Sequence, residues 1–140
     1  MNDVIDASVA AKWYFPEEGS RRAGEVLAEA SEGRRNLLAP DLLVAEFTNI
    51  LWKKIGLDEC RPDEAQAILD FFETDRPRLV DSVALAPRAL ELALRLEHPV
   101  YDCLYLATAI EYDARLVTAD ARLARSARVV LTEVDLVRGA

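Results

Sequence analysis

The chain has 140 residues, 51% of them hydrophobic and 30% charged, with a formal net charge of −8, a length suited to one hydrophobic core. This balance excludes a disordered or low-complexity chain, and the excess of acid excludes holding nucleic acid through a broad basic face, which needs many Lys and Arg contacts to phosphate. The longest uncharged apolar stretch, about "CLYLATAI", is far too short to span a membrane, and the acidic opening "MNDVID" lacks a signal-peptide pattern, so a cytoplasmic protein with no membrane partner is expected.

In chain order, "DVID" reads as a short strand and "SVAAKWYF" as a short helix stopped by Pro16; "GSRRAGEVLAEASEG" is an amphipathic helix ending at Gly33. "NLLAP" is a second strand, and "PDLLVAEFTNILWKKIG" a helix with Asp41 at its start, lysines in its last turn and Gly56 past its end. "RPDEAQAILDFFETD" makes another helix and "RLVDSV" a strand; "LAPRALELALRLE" and "PVYDCLYLATAIEYDA" are helices, and "RLVTAD" and "RVVLTE" are strands around the short helix "ARLARSA". Strands separated by helices of this length predict an α/β fold, a parallel sheet covered on both faces. No linker or repeat divides it, so residues 1–140 are expected to form a single domain.

Cys60 and Cys103 lie far apart with no partner spacing, and Cys103 sits in an apolar helical run as a small buried thiol. His98 is the only histidine, which rules out a zinc site built on several histidines.

Four acids stand out. "DVIDAS" and "RLVTAD" each end an apolar strand with an aspartate, and neighbouring parallel strands would bring Asp6 and Asp120 to the same rim, where sites in open α/β sheets form. Asp6 and its following small residues also read as a helix N-cap. Glu46 lies at the edge of the stripe Leu43, Phe47, Ile50 and Leu51, where a solvated side chain is the ordinary alternative. Asp102 opens a helix that is apolar on nearly every face; a first-turn acid is favoured by the helix dipole, but this one also points to the sheet's end. Carboxylates about 5 Å apart repel by roughly 3 kcal/mol at an effective dielectric near 20, so a cluster of four needs compensation, and a hard cation such as Mg²⁺, bound through carboxylates and water, supplies it. Ser8 and Thr118, each two residues from an aspartate, are candidates to orient those carboxylates or a water, or are simple turn residues.

The segments "VIDASVAAKWYFPEE", "LLAPDLLVAEFTNILWKK", "HPVYDCLYLATA" and "RLVTADARL" resemble the successive motifs of PIN-domain ribonucleases, and especially VapC-type toxins of toxin–antitoxin pairs. The resemblance runs from about Asp3 to Leu131. It implies a PIN-like three-layer α/β/α sandwich with a central parallel sheet and an acidic site dependent on Mg²⁺ or Mn²⁺. Asp6, Glu46, Asp102 and Asp120 match the family's four acids, with Asp6, Asp102 and Asp120 as metal ligands and Glu46 or Asp120 orienting or deprotonating the attacking water. Asp135 lies too far along to match an additional acid. The implied activity is endoribonucleolytic hydrolysis leaving a 5′-phosphate and a 3′-hydroxyl, and the implied partners are RNA, a VapB-type antitoxin and a second copy of the chain.

An acidic pI does not exclude such a nuclease, because a bound cation restores the local balance. Arg122 and Arg125, spaced i and i+3 after Asp120, are candidates to hold flanking phosphates, with Lys12 and Lys53 near Asp6 and Glu46; solvated charged faces are the alternative. Trp13 and Trp52 could stack bases, or belong to core or interface. Other readings are a housekeeping RNA-processing nuclease, a catalytically silent PIN-like binding module, which would be marked by loss of an acid, and a haloacid-dehalogenase-type phosphatase. The phosphatase would want a second aspartate where Ser8 stands.

Overall fold

A computed structural model describes residues 1–138, so Gly139 and Ala140, at the end of the expected domain, lie outside the described residues. The elements run β1 (Asn2–Ile5), α1 (Ala7–Ala11), α2 (Ser20–Ser31), β2 (Asn36–Pro40), α3 (Leu42–Gly56), α4 (Pro62–Asp75), β3 (Arg78–Val80), α5 (Ser82–Leu96), α6 (Val100–Glu111), β4 (Arg115–Thr118), α7 (Ala121–Val130) and β5 (Val134–Leu136). The strands form one sheet in the order β3-β2-β1-β4-β5, and every pairing is parallel. The expected parallel α/β architecture is therefore present.

The chain steps from β1 outward to β3, then crosses to β4 on the other side of β1 and steps outward again. Right-handed crossovers in opposite directions place their helices on opposite faces of a sheet, and such a reversal opens a crevice at the strands' carboxyl ends. Here that point lies between β1 and β4, where Ile5 pairs with Val117. Both strands are buried beyond their first residue, as parallel strands covered on two faces must be. The helix α6 packs across β1, β2 and β4, and residues 103–109 are all buried.

The helix carrying Glu46 is fixed by aromatic packing. Phe47 of α3 stacks on Phe72 of α4 at 3.8 Å between centroids, Tyr14 meets Phe47 edge-on at 5.7 Å, and the Tyr14 hydroxyl donates to Asp75 at 2.8 Å. Between α1 and α2, Gly19 has φ +86°, and a Cβ there would come within 2.8 Å of Val137 Cγ1, so this turn needs glycine for both conformation and space.

Several boundaries differ from the sequence expectation. The short helix expected over "SVAAKWYF" ends at Ala11, four residues before Phe15. The "RLVDSV" strand stops at Val80, because the Asp81 side chain accepts from the Val83 N–H at 2.9 Å and caps α5; the helix thus begins at Ser82, three residues before the expected Leu85. The expected strand "RVVLTE" is also corrected: Arg128, Val129 and Val130 complete α7 and β5 starts only at Val134. Leu123, Ala124 and Ala127 are buried along one side of α7, and that packing overrides the β preference of two adjacent valines. Both thiols, Cys60 and Cys103, are free and buried.

Candidate active site

Asp6 leaves β1 in an extended conformation and caps α1, its Oδ1 accepting from the Val9 N–H at 3.2 Å. The capping reading is thus correct but incomplete. Oδ1 also accepts from the Ser8 hydroxyl at 2.5 Å, and Oδ2 accepts from the Thr118 hydroxyl at the end of β4. Each hydroxyl has a second partner: Ser8 Oγ accepts from the Ala119 N–H at 3.1 Å, and Thr118 Oγ1 from the Asp120 N–H at 3.0 Å. Ser8 and Thr118 therefore tie the end of β1 to the loop that carries Asp120.

Asp120 caps α7, its Oδ1 accepting from the N–H groups of Arg122 at 2.9 Å and Leu123 at 3.2 Å. Glu46 is half-buried on α3, and its Oε1 accepts from the hydroxyl of Tyr105 at 2.5 Å. Asp102, in the first turn of α6, receives Nε2 of His98 on Oδ2 at 2.7 Å. Four separate elements thus bring carboxylates to one rim.

Their charges are felt in common. Burial pushes the Asp6 carboxyl above the usual range, the Ser8, Thr118 and Val9 hydrogen bonds pull it back, and Asp120 raises it again. Burial likewise raises Glu46, Tyr105 lowers it, and Asp6 and Asp102 add to the rise. Repulsion therefore runs from Asp120 through Asp6 and Glu46 to Asp102. Among the described residues no Lys or Arg pairs with any of the four; the one basic side chain that reaches them is His98, at Asp102.

The donor set suits a hard divalent cation. Glu46 Oε2, Asp102 Oδ1 and Asp120 Oδ2 have no hydrogen-bond partner among the described residues, so three acids each present a free carboxylate oxygen. The acids do not close into a cage: among the described residues no three His, Cys, Asp or Glu side chains stand close enough to hold an ion by themselves. Mg²⁺ does not need a cage, since it is typically held by one or two carboxylates and keeps several waters.

A family model described as "PIN domain" matches residues 4–129. This chain belongs to the PIN-domain family. The PIN domain here is 35% identical over 134 residues to Ribonuclease VapC3 of Pyrobaculum aerophilum, covering 94% of this chain and 99% of that relative. It is 39% identical over 103 residues to Ribonuclease VapC1 of Mycobacterium tuberculosis, covering 71% of this chain and 74% of the relative. Among solved structures, PAE2754 from Pyrobaculum aerophilum superposes with a TM-score of 0.72 at 20% identity, over 98% of this chain and 90% of that one. VapBC2 from Rickettsia felis, solved with a DNA fragment from its promoter, superposes with a TM-score of 0.65 at 19% identity, over 97% of each chain. These two likenesses establish the PIN fold.

Of the candidate phosphate contacts around this PIN site, Arg122, Arg125 and Lys53 are exposed. Lys12 is not: its side chain is 10% exposed and its Nζ lies 3.2 Å from Glu17 Oε1, which commits it to a contact within the protein. Trp13 is anchored by its indole N–H, which donates to the Ala23 carbonyl at 2.9 Å, whereas Trp52 is exposed. Asp135 accepts from Arg22 at 2.6 Å. A cavity of about 710 Å³ lined in part by Arg35, Arg76 and Arg78 opens at the other end of the sheet, away from the acids.

Sequence reading passed over His98 and Tyr105 as neighbours of the site. The available signals were spacings from Asp102: His98 stands four residues before it and Tyr105 three after, both on the helical neighbour pattern.

Proposed function

We propose that this PIN domain is an endoribonuclease, the toxin of a VapBC-type pair, that hydrolyses RNA with Mg²⁺, or Mn²⁺ in its place, held by Asp6, Asp102 and Asp120. The observation carrying this reading is the convergence of four carboxylates, linked in a chain of neighbouring repulsions, that no Lys or Arg pairs with among the described residues. The names of the VapC relatives support the substrate class, and the VapBC likeness supports a VapB-type partner. We take residues 1–140 to act as one domain in the cytoplasm; among the described residues no helix is long and apolar enough to cross a membrane.

When bound, the cation supplies positive charge against the scissile phosphate and makes a nearby water more acidic. The chain's own residues do the rest. Ser8 and Thr118 hold Asp6 immobile at the junction of β1 and β4. Glu46, whose proton affinity is raised by burial and fixed on one oxygen by Tyr105, takes the proton of the attacking water on its other oxygen, because a raised carboxyl is a better base near neutral pH. Asp120 orients that water or completes the ligand set. Lys53, Arg122 and Arg125, exposed and without an ion pair among the described residues, hold flanking phosphates, while Lys12 buttresses the turn after α1.

The partners suggested by the relatives also find apolar surface. Trp52, Leu57 and Phe71 are exposed on and beside α3 and α4, and Val83, Leu90 and Leu94 on α5. These exposed apolar side chains are available to an antitoxin or to a second copy of the chain. A basic antitoxin segment would complement the net charge of −8.

The test is to incubate purified protein, free of antitoxin, with a mixed cellular RNA pool in Mg²⁺, Mn²⁺ or EDTA, beside Asp102→Asn. Metal-dependent cleavage lost in the variant is expected. Cleavage that persists in EDTA, or equal cleavage by the variant, overturns the assignment; a folded protein that binds the cation and cleaves nothing points to a silent PIN-like module.

A further inference from the structure

Asp6 and Asp120 are steadied by the helices they cap, and Glu46 by Tyr105. Asp102 caps nothing. Its side chain is 30% exposed, and its only hydrogen-bond partner among the described residues is His98.

That histidine is firmly placed. Its side chain is 2% exposed, and its second ring nitrogen, Nδ1, lies 2.9 Å from Ser126 Oγ on α7. The backbone delivers it there by a tight passage between helices: Glu97 closes α5 with φ +51°, His98 N–H donates to the Ala93 carbonyl at 3.3 Å, and Pro99 opens α6. Burying an imidazole is unfavourable unless its polar atoms are paired, and here both nitrogens are, one to α6 and one to α7. A residue needed only to fill this space would have no use for either nitrogen.

We propose that His98 is a positioning residue that, backed by Ser126, sets the Asp102 carboxylate for the divalent cation. In the tautomer protonated at Nε2, the ring donates to Asp102 Oδ2 and accepts the Ser126 hydroxyl at Nδ1, so that Oδ1 is the oxygen left to the ion. This extends the metal-dependent reading above and rests on it. Groups behind a ligand act by fixing its orientation before the ion arrives, and their loss typically weakens metal affinity by about 10- to 100-fold. The arrangement also explains how an aspartate on a partly solvated helix end keeps one geometry without a cap.

The test is direct Mn²⁺ binding, followed by the electron paramagnetic resonance of the free ion, with a thermal melt for each protein: wild type, His98→Gln, His98→Leu, Ser126→Ala and Asp102→Asn. Glutamine keeps a donor near the position of Nε2, leucine keeps bulk alone, and Ser126→Ala leaves the ring but frees its far side. Expected are near-wild-type affinity for His98→Gln, affinity about 10- to 100-fold lower for His98→Leu, and an intermediate loss for Ser126→Ala with little change in melting temperature. If Asp102→Asn loses Mn²⁺ while His98→Leu and Ser126→Ala bind as wild type does, His98 only packs and the proposal is wrong. A His98→Gln protein as weak as His98→Leu also overturns it. Should His98→Leu not fold, wild-type affinity in Ser126→Ala decides against it. Wild type that binds no Mn²⁺, or Asp102→Asn that binds it normally, removes the metal reading itself and this inference with it.

Discussion

The hydroxyl of Tyr105 donates to Glu46 Oε1 at 2.5 Å, joining α6 to α3 across 59 residues of sequence. Tyr105 is 1% exposed, so the bond is sheltered on one side and half-open on the other. It is the one contact that pulls the Glu46 carboxyl down against burial and two neighbouring aspartates.

Tyr105→Phe keeps the ring and removes that contact. The Glu46 carboxyl then rises further, so the acidic limb of the pH–rate profile moves to higher pH. Cleavage near pH 6 is expected to fall by roughly tenfold, within what a displaced general base costs, and to recover as pH rises. Stability drops by only about 1 kcal/mol, since Glu46 can turn to water. A profile whose acidic limb stays in place would remove Glu46 as the base.

The metal-free protein should become more stable on mild acidification. Asp6 and Glu46 bind protons more tightly folded than unfolded, so the stabilisation from their protonation is complete below their unfolded values and is lost as pH rises through their folded values. Asp6→Asn removes one of these charges while its oxygen still accepts from Ser8 and Val9 and its amide faces Thr118. At pH 7.5 without metal its melting temperature is expected to rise by roughly 3–5 °C, equivalent to about 1 kcal/mol, with a shallower pH dependence. A large drop in melting temperature would return Asp6 to a purely structural role.

At the opposite end of β1, Asp3 is fully buried and meets two guanidinium groups: Arg35 at 2.5 and 2.7 Å and Arg115 at 2.9 Å twice. Removing one member of a buried ionic cluster strands the others. Asp3→Ala should cost about 3–5 kcal/mol, read as a lower urea midpoint, a large part of the roughly 5–15 kcal/mol that holds a domain together. Cleavage per folded molecule should be unchanged, because the acids sit at the other end of the sheet; a lower rate per folded molecule would contradict that separation.

Phosphate contacts are separable from chemistry. In an Asp102→Asn background, where RNA stays intact, changing Lys53, Arg122 and Arg125 to Gln one at a time should weaken single-stranded RNA binding and flatten its salt dependence. Each genuine contact removed lowers the slope of log K against log salt by about 0.7. An unchanged slope would show that side chain to be merely solvated.

Much of this was readable from local pattern. Asp6 and Asp120 each follow a short apolar run, and the limits of "NLLAP" coincide with β2, because apolar alternation and turn chemistry act within a few residues. What escaped depends on distant partners. The two valines of α7 favour a strand until Leu123 and Ala127 are seen to pack, and Asp81 reads as part of a strand until its carboxylate is found on the Val83 N–H. His98 and Tyr105 carry their spacing to Asp102 openly, yet Ser126 and Glu46, the groups that give them meaning, come from other helices. Lys12 looked free only because Glu17 lies across a turn.

The strand β1, first of the five in chain order, lies in the middle of the sheet, and the hydroxyl that locks Asp6 comes from Thr118, 112 residues later. Pairings of such long sequence separation form late, since loop-closure entropy must be overcome before they stabilise anything. A nascent chain can therefore build β1, β2 and α3 while Asp6 still lacks its lock, and the four acids come into register only when β4 slides in beside β1. The finished site thus does not exist until the chain has been made through Thr118 and Asp120.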